Sequence, residues 1–134
     1  MAKTFNAKIL TLDSKVLDEK IEKIFFSTAE GNVEILANHA SSIFSTVPCI
    51  TKVTDENGVV KEFFTAKGVV NISYNELNFC CDSSELKEDI DVARAEAAEK
   101  RAEKRISDPE KYDIERAKQA LIRAQVRIKL AKQS

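Results

Sequence analysis

Residues 79–95 read FCCDSSELKEDIDVARA, and the chain changes character inside this stretch. All seven Phe and all three Gly precede Lys87, while all six Arg (Arg94, Arg101, Arg105, Arg116, Arg123 and Arg127) follow it. Phe and β-branched residues suit pleated, half-buried surfaces, whereas Ala, Glu, Lys and Arg suit helices. Two structural regimes therefore meet around Ser83 to Asp89, and the chain divides into residues 1–84 and 85–134. A chain of 134 residues holds one full core, or a small core with an appendage.

Upstream of the break, short apolar runs alternate with turn signals. Strands are expected at Phe5–Leu12, Ile21–Thr28, Asn32–Leu36, Ile43–Val47, Ile50–Thr54, Val59–Thr65, Val69–Ser73 and Leu77–Cys81. Asn57-Gly58 tolerates the positive φ angles of a tight hairpin turn, so the flanking runs are expected to pair. Many short strands at this spacing imply an antiparallel β-sandwich or flattened barrel.

Downstream, the period changes to that of a helix. Val92, Ala95, Ala98, Ala102 and Ile106 form one stripe; Ile114, Ala117, Leu121, Ala124, Ile128 and Ala131 form another. Ser107-Asp108-Pro109 breaks between them, because Pro lacks an amide hydrogen and disfavours helix in the residue before it. Asp89 or Asp113 would sit at a helix start, where negative charge suits the dipole. The expected fold is α+β: an N-terminal sandwich followed by a two-helix antiparallel hairpin. The hairpin seam is largely Ala, and Ala buries far less apolar area than Leu, so the seam holds weakly. Such a hairpin either opens and closes as a two-state element or stays shut as an ordinary Ala coil.

Folding the hairpin about a loop near residues 109–110 sets Arg94 level with Arg127 and Arg101 level with Arg123. Guanidinium groups gathered at two adjacent levels repel one another, and a polyphosphate such as a nucleotide relieves that repulsion. Asp91, three residues before Arg94, is a candidate partner for it. The alternative is a solvated basic face interleaved with Glu96, Glu99 and Glu103. From Ile114 to Lys132, six Lys or Arg face one acid, Glu115, which makes the second helix a docking surface for an acidic partner.

Other function classes find little support. The formal net charge of -1 gives no global field for nucleic acid. No run approaches the roughly 20 apolar residues of a membrane span, and Met1 to Leu10 lacks a signal-peptide core. Cys49, Cys80 and Cys81 show no zinc-binding spacing, and they read as reduced thiols of a cytoplasmic protein. No phosphate-binding glycine loop and no GxSxG elbow is present. His39, in an Asn38-His39-Ala40 turn near Ser41 and Ser42, reads as a structural hydrogen-bonder. Neither a catalytic constellation nor a metal site is expected.

Three segments, in order, carry a family resemblance: Thr28 to Ala40 (TAEGNVEILANHA), Phe63 to Val70 (FFTAKGVV) and Ile90 to Ala95 (IDVARA). The last matches an [IL]DxxRA motif at the start of a helical arm. Over nearly its whole length the chain resembles the epsilon subunits of bacterial F-type ATP synthases. That resemblance implies a non-catalytic rotor subunit at the cytoplasmic side of the bacterial cell membrane, peripheral through its complex. Its sandwich would bind the gamma subunit and touch the membrane rotor ring of c subunits. Its hairpin would fold down or extend into the alpha/beta catalytic head, where the basic second helix meets an acidic segment of beta and blocks ATP hydrolysis. No cofactor is required, but some members bind ATP as a regulatory ligand. Residue by residue, that site would fall on Glu85, Ile90, Asp91, Arg94, Ala95, Arg101, Arg123 and Arg127. The rival readings are a free-standing nucleotide-sensing regulator and, more remotely, a hydrolase using His39.

Overall fold

The computed structural model describes residues 3–133. Met1 and Ala2, which head the expected first domain, and Ser134, which ends the second, lie outside them. The protein is α+β and forms two compact units, Met1–Lys87 and Glu88–Ser134.

Among the described residues the first unit has nine strands: β1 (Phe5–Leu10), β2 (Lys15–Thr28), β3 (Gly31–Leu36), β4 (Ser42–Thr46), β5 (Cys49–Asp55), β6 (Val60–Thr65), β7 (Gly68–Ser73), β8 (Glu76–Cys81) and β9 (Ser84–Leu86). The path β1-β8-β7-β4-β2 returns to its start because β1 also pairs with β2. From β2 the sheet continues through β5, β6 and β9, while β3 forms a hairpin on β2. This is the sandwich folded from one curled sheet. Pairing is antiparallel with one exception: β1 runs parallel to β8, with Ala7 opposite Leu77 and Ile9 opposite Phe79.

Two differences from the sequence reading locate the unit's centre and edge. β2 starts at Lys15, six residues before Ile21, because its first half pairs with β1 and its second half with β3 and β5. The boundary expected between residues 84 and 85 cuts through β9, which pairs Phe63 with Leu86 and Thr65 with Ser84. The division falls instead between Lys87 and Glu88.

The core follows strand alternation. Phe5, Ala7 and Ile9 of β1 point inward with Leu77, Phe79 and Cys81 of β8. Phe26 meets Phe44 edge-on at 5.6 Å and Phe79 at 5.9 Å between ring centroids, the tilted geometry that aromatic quadrupoles favour. The buried Thr51 and Thr65 hydroxyls satisfy one another at 2.7 Å, next to the Cys49 thiol.

Turn chemistry splits between two places. Asn57-Gly58 does join β5 to β6, but as a wider loop. Only Gly58 has positive φ (81°), and the Asp55 carboxylate accepts from the Asn57 and Val59 amides at 2.9 and 3.0 Å. The tight turn with two successive positive φ angles is Tyr74-Asn75 (52° and 59°), between β7 and β8. Asn75 also accepts from the Asn38 amide at 2.7 Å and donates to the Asn38 side chain at 3.1 Å.

The second unit consists of α1 (Val92–Ile106) and α2 (Ile114–Lys132), which pack on one another. Each buries a pair of alanines seven residues apart, Ala95 and Ala102 on α1 and Ala117 and Ala124 on α2. Among the described residues, no helix is long and apolar enough to cross a membrane.

Candidate functional site

Both helices of the hairpin start on an Asp. The Asp91 carboxylate accepts from the Arg94 amide at 3.0 Å and caps α1; Asp113 accepts from the Arg116 amide at 3.3 Å and caps α2. Asp91 thus takes the role expected of Asp89, which lies in a short 3-10 turn at Lys87–Asp89. The expected partnership of Asp91 with Arg94 is made through the Arg94 main chain and not its guanidinium.

Between the helices the chain turns through a compact loop. Ser107 ends α1, its amide bonding Glu103 and its hydroxyl donating to the Lys104 carbonyl at 2.6 Å. The Asp108 carbonyl then accepts from the Lys111 and Tyr112 amides at 3.2 and 3.3 Å. These bonds fold residues 107–113 back on themselves, so that side chains from the loop and both helices converge.

They converge on a cleft of about 470 Å³ whose charged walls are Arg101 and Arg105 from α1, Lys111 and Asp113 from the loop, and Arg116 and Arg123 from α2. The Arg105 guanidinium lies 5.3 Å from the Tyr112 ring centre and the Lys111 ammonium 5.7 Å, a cation–π arrangement at the rim. Five cations thus face one carboxylate, and the Asp113 carboxylate is already engaged in capping α2. Among the described residues, none of the five cations is in an ion pair.

The residues singled out from sequence divide accordingly. Arg101 and Arg123 share the cleft; Arg94 and Arg127 do not line it. Arg94 is exposed in the first turn of α1, and Arg127 is half-buried one turn beyond Arg123. Ala95 is a buried seam residue, Ile90 is buried just before the α1 cap, and Glu85 lies on β9 opposite Phe64, in the other unit. Arg105, Lys111, Tyr112 and Arg116 were not singled out. The same folding about residues 109–110 that levels Arg101 with Arg123 also levels Arg105 with Arg116, so the signal was present one turn nearer the loop.

Elsewhere, His39, Ser41, Ser42 and Cys81 are occupied structurally. His39 Nδ1 lies 2.7 Å from the Ala40 carbonyl, and its ring packs against Phe44 with centroids 6.2 Å apart. Ser42 donates to that same carbonyl and Ser41 pairs with Ser73, so neither serine is held by the imidazole. Burial, with smaller repulsive contributions led by Asp82, pushes the Cys81 thiol up to about 12. That keeps it protonated and unreactive at neutral pH. Cys80, its neighbour, is exposed on the opposite face of β8.

Comparison with known proteins adds to this geometry. The ATP synthase delta/epsilon chain β-sandwich domain matches residues 4–87, and the long α-helix domain of the same chain matches residues 88–132. An ATP synthase epsilon chain from Clostridium botulinum (strain Eklund 17B) is 43% identical over 132 residues, 98% of each chain. One from Clostridium novyi is 43% identical over 130 residues, covering 97% of this chain and 99% of that one. A chain in the Euglena gracilis mitochondrial ATP synthase structure, an assembly of OSCP, F1 and c-ring, shares the fold. It superposes with a TM-score of 0.80 at 19% identity, over 91% of this chain and 78% of that chain.

Proposed function

The chain belongs to the ATP synthase delta/epsilon chain family, and we propose that it serves as the non-catalytic epsilon subunit of a bacterial F-type synthase, coupling rotation to ATP synthesis from the central stalk. The observation that carries this reading is the end-to-end match to epsilon chains, with both family domains in order and the helical arm intact. In this reading the β unit anchors the subunit to gamma and to the c-ring, at the cytoplasmic face of the membrane. Its outer surface supports such docking. Ile43 of β4 is 71% exposed and Val69 of β7 is 45% exposed, on the same face as the Cys80 that pairs with Val69. Exposed apolar side chains gathered on one sheet face are what a partner covers.

The hairpin restrains ATP hydrolysis when it extends into the alpha/beta head. Two features support this: a seam of alanines that separates at low cost, and an α2 with six Lys or Arg against Glu115. ATP serves as a regulatory ligand of the closed hairpin, held by the arginines named from sequence.

A pull-down with the gamma subunit tests the assignment, repeated for a chain truncated after Lys87. Capture of both forms, with loss of hydrolysis inhibition only in the truncated one, is the expected result. Failure of the full chain to bind gamma would favour a free-standing sensor. Calorimetry at millimolar ATP tests the nucleotide: no saturable heat removes that part of the reading and leaves the stalk assignment standing.

A further inference from the structure

We infer that Asn57 is a site of spontaneous covalent modification, in which its side-chain amide becomes aspartate or isoaspartate through a ring closed by Gly58, and that Asp55 acts as the brake on this reaction. The inference is independent of the stalk reading above.

Asn57 is the one Asn of the sequence that is followed by Gly. In the reaction the Gly58 main-chain nitrogen gives its proton to hydroxide and attacks the carbonyl carbon of the Asn57 side chain. A new nitrogen–carbon bond forms, the bond to the side-chain nitrogen breaks, and that nitrogen takes a proton from water and leaves as ammonia. Water then opens the cyclic imide at one carbonyl or the other, giving aspartate or an isoaspartate whose main chain runs through the former side chain. Water is the only co-reactant, and nothing is oxidised or reduced.

The loop presents the pair openly. Asn57 and Gly58 are both exposed, so hydroxide and water reach them. Gly58 has no Cβ to crowd the attacking nitrogen, and a Cβ placed there would meet nothing within 4 Å. By contrast, Asn71 and Asn78 sit opposite one another in the β7–β8 ladder, each followed by a residue with a bulky side chain.

Asp55 opposes the reaction in three ways. Its carbonyl accepts from the Gly58 amide at 3.0 Å, holding the proton that must leave. One oxygen of its carboxylate accepts from the Asn57 and Val59 amides at 2.9 and 3.0 Å, which resists the main-chain rotation that ring closure needs. The same carboxylate sets a negative charge beside a nitrogen that must itself become anionic, and a like charge disfavours that ionisation. Conversion has a structural consequence. It adds a carboxylate beside Asp55 and Glu56, and the iso form inserts a main-chain carbon inside the closure made by the Asp55 amide on the Val59 carbonyl at 2.9 Å. The end of the β5–β6 hairpin is thereby loosened.

The test follows the full chain over days at mildly alkaline pH. The tryptic peptide from Val53 to Lys61 is read by mass spectrometry, and isoaspartate by an isoaspartate-specific methyltransferase. Folded wild type should convert slowly, and the same chain unfolded in urea about fivefold faster or more, because Asp55 then holds nothing. Folded Asp55→Ala should also convert about fivefold faster than folded wild type or more. Glu56→Gln, which removes a neighbouring charge and none of these bonds, should stay within about twofold of wild type. No conversion in the unfolded chain overturns the site. Equal rates folded and unfolded, or equal acceleration by Asp55→Ala and Glu56→Gln, overturn the brake. Should Asp55→Ala lose its β-sheet circular dichroism, Asp55→Asn decides, since it keeps an oxygen acceptor but a neutral and weaker one. A rise of about twofold or more supports the brake, and no rise overturns it.

Discussion

The β unit and the helical hairpin bury different things, and that difference sets what each can do. The β unit encloses Phe26, Phe63, Phe64 and Phe79 with Ile9, Ile21, Ile24, Ile35 and Ile72, each at most 2% exposed. The hairpin's helices bury Ala95, Ala102, Ala117 and Ala124 together with Leu130 near the end of α2. At about 25 cal/mol per Å², an aromatic ring removed from water stabilises severalfold more than a methyl group. Contacts in the β unit also join strands far apart in sequence, such as β1 with β8, so no strand leaves without disturbing the rest. Those of the hairpin join neighbours across one seven-residue connection. An aromatic core and a seam rich in alanine result from the same chain because all seven Phe lie before residue 87.

The sharpest way to break this contrast is to remove core volume. Phe26→Ala takes away a ring packed on two others, and it should cost the β unit about 3–5 kcal/mol in denaturant melts. A loss below about 1 kcal/mol would mean that the aromatic core is not what holds the anchor. Gly68→Ala comes next. A methyl there meets the Cys80 carbonyl and lies 2.7 Å from Cys81 Cα, both backbone atoms that cannot swing aside. Overpacking of this kind costs about 1–3 kcal/mol, read from the same melts.

Alkaline pH probes the same corner. The Cys81 thiol is raised from 9.0 to about 12 chiefly by burial. Above pH 9 the unfolded chain ionises this thiol while the folded chain keeps its proton, so the folded state binds more protons and loses stability as pH rises toward 12. The stability difference between wild type and Cys81→Ala should shift steadily against the wild type from pH 9 to 11. A difference that is flat with pH would show that the thiol is not held in its neutral form.

How far the sequence foretold these two regions follows from the range of the interactions in each. Helix periodicity and capping are local, so α1 and α2 appear where the apolar stripes ran, from Val92 to Ile106 and from Ile114 to within one residue of the last stripe position. Strand positions were also legible in outline. What was not legible depends on distant partners. The first half of β2 is polar-rich and is a strand because β1 lies beside it. β9 is three residues long, too short to show a period. The parallel β1–β8 pairing arises only when the sheet curls closed. Tyr74-Asn75 took the double positive φ turn that Asn57-Gly58 signalled, because the Asn38–Asn75 side-chain pair locks it from another loop. In the candidate site, Arg101 and Arg123 were legible from level matching. Lys111 and Tyr112 were not, since their positions depend on the fold of the loop.

Within the hairpin, removing a cap comes next in size. Asp91→Ala leaves the Arg94 amide without its acceptor at the start of α1, at a cost of about 1 kcal/mol. The loss should appear as reduced helical circular dichroism, with the β unit unchanged. An equal loss of β-unit stability would deny that the two regions unfold separately.

The smallest effect is expected at the hairpin's open end. Lys132 near the end of α2 reaches Glu96 in the first turns of α1 at 3.9 Å, with side chains 63% and 46% exposed. Water and salt screen a pair so open, and both side chains lose rotamer freedom to form it, so Glu96→Gln should cost about 0.5 kcal/mol or less. That cost should vanish as ionic strength rises. The closed end has the opposite balance: its cleft gathers five cations, none of them in an ion pair among the described residues. There, Arg116→Gln relieves repulsion and should leave the helices as stable or more so in the absence of anions. If Glu96→Gln instead outweighs Asp91→Ala, the arm is held shut by charge at its open end. Salt would then become the switch, and the alanine seam a spacer.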